Sequence, residues 1–263
     1  MMQGGNLPKP YLIRTPPYDQ TSGGIKVMWG LYGWLLAKGL PAFVNTTINV
    51  PSIGIYPEIY HGNDMFATKV IRYILQKPGM MAIPDEFGVP RTGPTAFDPK
   101  DEIYVFSRIY DEWNVDDDHI LFLPIIDLHT FKDLGGKRTK KAFYVGKGVN
   151  WGNHPKDAIE ITRYTAQNQA ELAEILNECE VLYVYDRVSA IMEVSRLCHC
   201  PVVYYGDLSK EQLSLYEPGL NGITYKDERK VKLDGNEFRN HYKNLIQEFE
   251  RKLDIFIEET QKI

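Results

Sequence analysis

The sequence runs to 263 residues with a net charge of −5, 43% hydrophobic and 25% charged. That is enough chain for one large or two small domains with buried cores, and the mild acidic balance gives no general electrostatic reason to expect a nucleic-acid or membrane-surface binder. Three cysteines, Cys179, Cys198 and Cys200, make no disulfide framework. The first residues lack a leader's basic and apolar stretches, and no apolar run reaches the roughly 18 to 20 residues of a bilayer span. A soluble, cytoplasmic protein with no membrane span is expected.

In chain order, strand-like runs alternate with segments of helical period, the grammar of an α/β fold. "YLIR" reads as a first strand, followed by a loop, "TPPYDQTSGG", that prolines and the glycines Gly23 and Gly24 keep irregular. A helix follows, with Ile25, Met28, Tyr32, Leu35 and Leu36 on one face and Gly39 just past its end. "AFVNTTI" is the next strand. The stretch from Asn63 to Gly79 places Phe66, Val70, Ile71, Ile74 and Leu75 on a helical stripe with Asn63 as N-cap. "MMAI", "EIYVFS" and "ILFLP" read as further strands. The glycines and positive charges of "KDLGGKRTKK" mark a boundary, giving an N-terminal domain over 1–133. The next domain, 134–237, carries strands at "AFYVGKG", "AIEIT", "VLYVY" and "PVVYY". A helix capped by Asn168 and another over "SAIMEVSRLC" separate them, as in a parallel βαβαβ unit. Residues 238–263 form a long amphipathic helix whose stripe is Phe238, Tyr242, Leu245, Phe249, Leu253 and Phe256.

The most informative stretch is Tyr185 to Tyr205, where a strand runs into the turn Asp186-Arg187-Val188 and then a helix starting at Ser189. A strand–turn–helix junction aims free backbone N–H groups at the sheet edge and favours an anion. Glu193, one helical turn on, suits two ribose hydroxyls while the amides hold phosphates. Spacing alone also allows Ser189 as a plain cap and Glu193 as a surface charge.

This segment, with "SRLCHCPVV" after Glu193, resembles the nucleotide-binding segment of GT-B glycosyltransferases, in which a glutamate at the position of Glu193 holds the ribose of a sugar nucleotide. That family's second glutamate falls at Tyr185 or Asp186, with Asp186 as its substitute, and Ser195, His199 and Cys200 depart from the pattern. "RTPPYDQTSGG", with Gly23 and Gly24, is similar to the family's first glycine loop. "YPEIYHGNDMFATKVIRYILQKPG" resembles a segment of bacterial and phage-type glycosyltransferase-like proteins. "FYVGKG" is similar to the strand and basic turn that contact the donor diphosphate, with Lys147 in that role.

The resemblance implies two Rossmann-like domains facing across a cleft, with a last helix crossing back to the N-terminal domain. It also implies transfer of a sugar from a nucleoside diphosphate-sugar, a UDP-sugar by preference, to a saccharide or small-molecule acceptor. Lys147, Gly23, Gly24, Asp186, Ser189 and Glu193 would then bind the donor. An inverting reaction needs a base, for which Asp19, Glu58 and His61 are the candidates. No D-x-D follows a strand, so no metal and no cofactor beyond the donor is expected. The C-x-C at Cys198 and Cys200 lacks zinc spacing, and "GKG" is no P-loop. Five basic residues between Lys137 and Lys147 allow an alternative, a phage-type enzyme acting on hydroxymethylated bases of DNA in a host cytoplasm. A further alternative is a non-catalytic nucleotide-binding protein on the same scaffold.

Overall fold

A computed structural model describes residues 7–84 and 90–262. The first six residues, on which the expectation of no leader rests, lie outside that set. The first half gives β1 (Tyr11–Ile13), α1 (Gly23–Ala37), β2 (Ala42–Val44), β3 (Ile53–Pro57) and β4 (Lys69–Ile74), then an antiparallel pair, β5 (Ala82–Pro84) and β6 (Pro90–Thr92), and β7 (Glu102–Val105). The second half gives β8 (Lys140–Tyr144), β9 (Ile159–Glu160), α2 (Gln169–Asn177), β10 (Cys179–Val184), α3 (Ile191–Leu197), β11 (Val202–Tyr204), α4 (Lys210–Leu213), β12 (Ile223–Tyr225) and α5 (Gly235–Gln261).

The chain is α/β and divides into two compact units, Met1–Leu123 with Ile246–Ile263, and Pro124–Leu245. Each is built on a five-stranded parallel sheet, ordered β2-β1-β3-β4-β7 in unit one and β9-β8-β10-β11-β12 in unit two. The two orders are the same when each sheet is counted along its own chain. Both are the doubly wound order in which ligands collect beyond the carboxyl ends of the strands, where the direction of winding switches. That point lies between β1 and β3 in unit one and between β8 and β10 in unit two.

Strands covered on both faces lose the alternating pattern that marks a half-exposed strand. Every residue of β1 and β3 is buried. The same effect explains the largest departure from the sequence reading. The stretch from Asn63 to Gly79 is no helix; it is a tight turn followed by β4. Asn63 accepts the Tyr56 hydroxyl and the Ala67 N–H and donates to the Ala67 carbonyl, so its amide closes a turn instead of capping a helix. "ILFLP" is likewise no strand, contributing only an isolated bridge between Val105 and Ile120. β3 and β12 lie where no strand is expected. In α1 the buried face is Val27, Met28, Leu31 and Leu35, and Leu36 is exposed. Apolar residues at almost every position from Ile25 to Leu36 make two stripes equally readable.

In α5 the expected stripe holds: Phe238, Tyr242, Phe249, Leu253 and Phe256 are buried. Within unit one, Phe256 stacks on Tyr11 and Phe249 meets Trp34, while Thr260 bonds the Tyr11 hydroxyl at 2.7 Å. Within unit two, Phe238 lies against the Arg196 guanidinium and the Tyr242 hydroxyl accepts the Ile126 N–H.

Unit one also depends on a buried arginine. Arg72, on β4, is 3% exposed; its Nε pairs with Asp101 at 2.7 Å and its two Nη groups donate to the carbonyls of Tyr60 and Gly62. The rings of Tyr56 and Phe97 flank it. One side chain therefore ties the loop after β3 to β4. Removing one partner of a buried ion pair strands the other charge in a dry site, at a cost of about 3 to 5 kcal/mol. Arg72→Met is expected to lower unfolding stability by about 3 kcal/mol or more, measured by denaturant titration. A loss below about 1 kcal/mol would show that the loop is held by other contacts.

Candidate functional site

The switch point of unit two brings together two loops, Val145–Gly148 after β8 and Tyr185–Ser189 after β10. They approach more closely than side chains permit. A Cβ on Gly146, whose φ is +56°, would stand 2.4 Å from Asp186 Oδ2, and one on Gly148 would stand 1.9 Å from the Tyr185 carbonyl oxygen. From the loop after β11, a Cβ on Gly206 would stand 2.6 Å from the Asp186 carbonyl oxygen. Farther along the first loop, the His154 ring stacks on Phe143 at 3.8 Å, and its Nδ1 shares a 2.8 Å hydrogen bond with the Tyr185 hydroxyl. The glycine turn is thus held against the β10 loop at both ends.

At the centre of this contact, Asp186 is 6% exposed, and burial raises its pKa above the ordinary aspartate value. The Arg187 N–H, bonded at 2.9 Å, the Lys147 charge and the Lys147 N–H oppose that shift. Lys147 itself is exposed on the turn. Arg187 is committed sideways to Asp207 through Nε and Nη2.

Ser189 does not open the helix. α3 begins at Ile191 with Ala190 at the cap, and the Ser189 hydroxyl bonds Tyr144, the last residue of β8. This bond ties the two loops together a third time. Glu193 is turned inward and is 3% exposed; the Tyr216 hydroxyl donates to its Oε1, and burial together with the Glu193 charge raises the pKa of Tyr242. The neighbouring Arg196 is fully buried and donates to the carbonyls of Met192, Gly219 and Asn221. Burial pulls its pKa down to about 10 against the pull of Glu193. The carboxylate that the resemblance assigns to a ribose is therefore engaged with the Tyr216 hydroxyl in a buried site.

The remaining expected residues lie in unit one, where Asp19 follows β1, and Glu58 and His61 follow β3. Gly23 and Gly24 belong to the first turn of α1, not to the loop before it. Gly24 faces Leu75, whose N–H is accepted at 2.9 Å by Glu58, the residue after β3. Glu58 is 4% exposed. Asp19 accepts both the N–H and the hydroxyl of Thr21 at 2.8 Å. His61 is exposed. The loops after β1, β3 and β4 thus meet at one edge, with His61 open to solvent and Glu58 bonded to backbone.

Other features carry less chemistry. A groove of about 550 Å³ in unit one, lined in part by Lys69, Arg72, Asp98, Lys100 and Glu102, opens at the amino ends of β4 and β7. That is the edge opposite to the one where parallel sheets gather ligands. Among the described residues no group of three or more His, Cys, Asp or Glu is placed to hold a metal ion, and no helix is long and apolar enough to cross a membrane. The three cysteines are buried, and burial pushes the Cys198 and Cys200 thiols up to about 12. Within the basic run, Arg138 pairs with Asp133, Lys140 with Glu178 and Lys141 with Asp157. Acids outside the run therefore offset much of its charge.

Comparison with protein-family models gives no match, and no curated protein matches the sequence. The geometry defines the site unaided, and it includes residues the sequence reading passed over. Tyr144 was legible as the last residue of a strand entering a glycine turn. Tyr216 carried no signal, because it contacts Glu193 from a distant turn of chain.

Gly148 and Gly23 make a matched test of this geometry. Gly148→Ala must push the two loops apart and is expected to destabilise unit two. At Gly23 a Cβ meets nothing within 4 Å in the first turn of a helix, so Gly23→Ala is expected to be neutral or stabilising by about 0.5 to 1 kcal/mol. Thermal unfolding of both variants checks this, and equal effects would contradict the packing described.

Proposed function

We infer that the chain is a glycosyltransferase of the GT-B class, with a nucleoside diphosphate-sugar bound at the carboxyl edge of unit two. The observation that carries this reading is the β8/β10 switch point, where a Gly-Lys-Gly turn lies against the Asp186 loop with no side chain between them. Glycines leave the outward main-chain N–H groups of the turn unscreened by side chains toward a ligand at the sheet edge, and Lys147 adds a cation there. Breaking the anomeric C–O bond leaves a diphosphate, so charge stabilisation at that point is the main catalytic requirement. Lys147 and the turn amides supply it in this reading, and Ser189 adds a hydroxyl.

Unit one takes the acceptor. Its carboxyl-edge loops carry Asp19, Glu58 and His61, and an inverting reaction draws its base from these. Of the three, His61 is the most open. Glu193 takes the ribose in this reading once Tyr216 swings aside toward solvent, so that neither the carboxylate nor the displaced hydroxyl is left buried without a partner. Uridine diphosphate heads the list of donors on resemblance alone.

The test is thermal stabilisation by a panel of nucleoside diphosphates and their sugar conjugates, with Lys147→Ala alongside. A ligand that binds only the folded state at about 100 times its Kd adds about 2.7 kcal/mol. The reading predicts a rise in melting temperature with at least one diphosphate, reduced in Lys147→Ala. No rise with any nucleotide at millimolar concentration would contradict it.

A further inference from the structure

Unit two carries a cation at the same edge that the reading above leaves unused. β9 pairs with β8 in parallel, Ala142 opposite Ile159 and Phe143 opposite Glu160, and the Ile161 N–H continues the ladder to the Phe143 carbonyl at 2.8 Å. Beyond Ile161 the chain makes a turn fixed by its own threonines. Thr165 Oγ1 accepts the Thr162 N–H at 2.7 Å and donates to the Glu160 carbonyl at 3.2 Å, and Thr162 Oγ1 accepts the Tyr164 N–H at 3.1 Å. Arg163 and Tyr164 form the tip, and both are exposed, Tyr164 by 87%.

The strand order β9-β8-β10 sets this tip beside the Gly-Lys-Gly turn, at the carboxyl edge where the switch point lies. Arg163 follows the carboxyl end of β9, the strand paired in parallel with β8, and so stands on the loop next to the Gly-Lys-Gly turn. Among the described residues no carboxylate pairs with it, whereas Arg187 on the adjacent loop is locked to Asp207. An arginine held on a hydrogen-bonded turn loses little backbone freedom when it binds, and its planar fork matches two phosphate oxygens at once.

We propose that Arg163 is a second phosphate-binding residue of the donor site, sharing the diphosphate with Lys147. The proposal rests on the donor-binding reading of unit two and adds to it a specific cation from a loop that the sequence reading left without a role. Arg163 binds the diphosphate in the ground state and holds its charge as the sugar departs.

The experiment is calorimetric titration of the full chain with uridine, guanosine and thymidine diphosphates, comparing wild type with Arg163→Ala, Arg163→Lys, Lys147→Ala and Lys243→Ala. Lys243 is an exposed residue of α5 and controls for the change in net charge. The proposal expects Arg163→Ala to raise the Kd of whichever diphosphate binds by about tenfold or more, the scale of one charge-assisted contact. Arg163→Lys should recover part of the loss, Lys243→Ala should bind as wild type does, and the salt dependence of binding should flatten in Arg163→Ala. If Arg163→Ala binds with wild-type affinity while Lys147→Ala is weakened, the proposal falls and the donor-site reading stands. If wild type binds none of the diphosphates at millimolar concentration, both fall.

Discussion

The close approach of Gly146, Gly148 and Gly206 to the Tyr185–Asp186 segment is the constraint on which the rest of unit two depends. Three loops, leaving β8, β10 and β11, meet there with backbone against backbone or carboxylate. A single Cβ at Gly148 would overlap the Tyr185 carbonyl oxygen, so the loops can pack this closely only because these positions carry no side chain. Once the backbones touch, the other features follow from proximity. Tyr144 reaches Ser189, His154 reaches Tyr185, and the Asp186 carboxylate is shut away from water and its pKa rises.

Both sheets share one winding order, and in each the expected site residues follow the carboxyl ends of strands, on connecting loops or in the first turn of the next helix. The two edges differ in character. Unit two offers exposed cations, Lys147 and Arg163, beside loops packed backbone on backbone. Unit one offers the carboxylates Asp19 and Glu58 and the imidazole of His61, with Arg72 spent on holding the His61 loop in place. The proposed reading assigns the anionic donor to unit two and the hydroxyl acceptor to unit one on this difference.

The α/β class, most strands of unit two, the Asn168 cap and the stripe of α5 were legible because local chemistry and long-range packing agree there. Asn168 accepts the Glu171 N–H as its spacing demands, and α5 is long enough for its period to be unmistakable. Reading failed where a segment is buried on all sides. Val70, Ile71, Ile74 and Leu75 fit a helical stripe as well as a strand, and only the pairing of β4 between β3 and β7 decides between them. The site was half legible for a similar reason. Lys147, Asp186 and Ser189 sit on the loops that a strand-to-turn reading finds, but the inward turn of Glu193 depends on Tyr216, which lies far from it in sequence. The carboxylate of Glu58 is directed by the Leu75 N–H, a partner set by sheet order and not by neighbouring sequence.

The most direct measurement of the central claim is an amide NMR titration of the isotope-labelled chain with uridine diphosphate, followed by guanosine diphosphate if the first is silent. The account predicts that the amides of Gly146 to Gly148 and of Asp186 to Ser189 shift first and farthest, with the Thr162 to Thr165 turn moving with them. Shifts confined to the unit-one groove around Asp98 and Lys100, or no shifts at millimolar nucleotide, would contradict it.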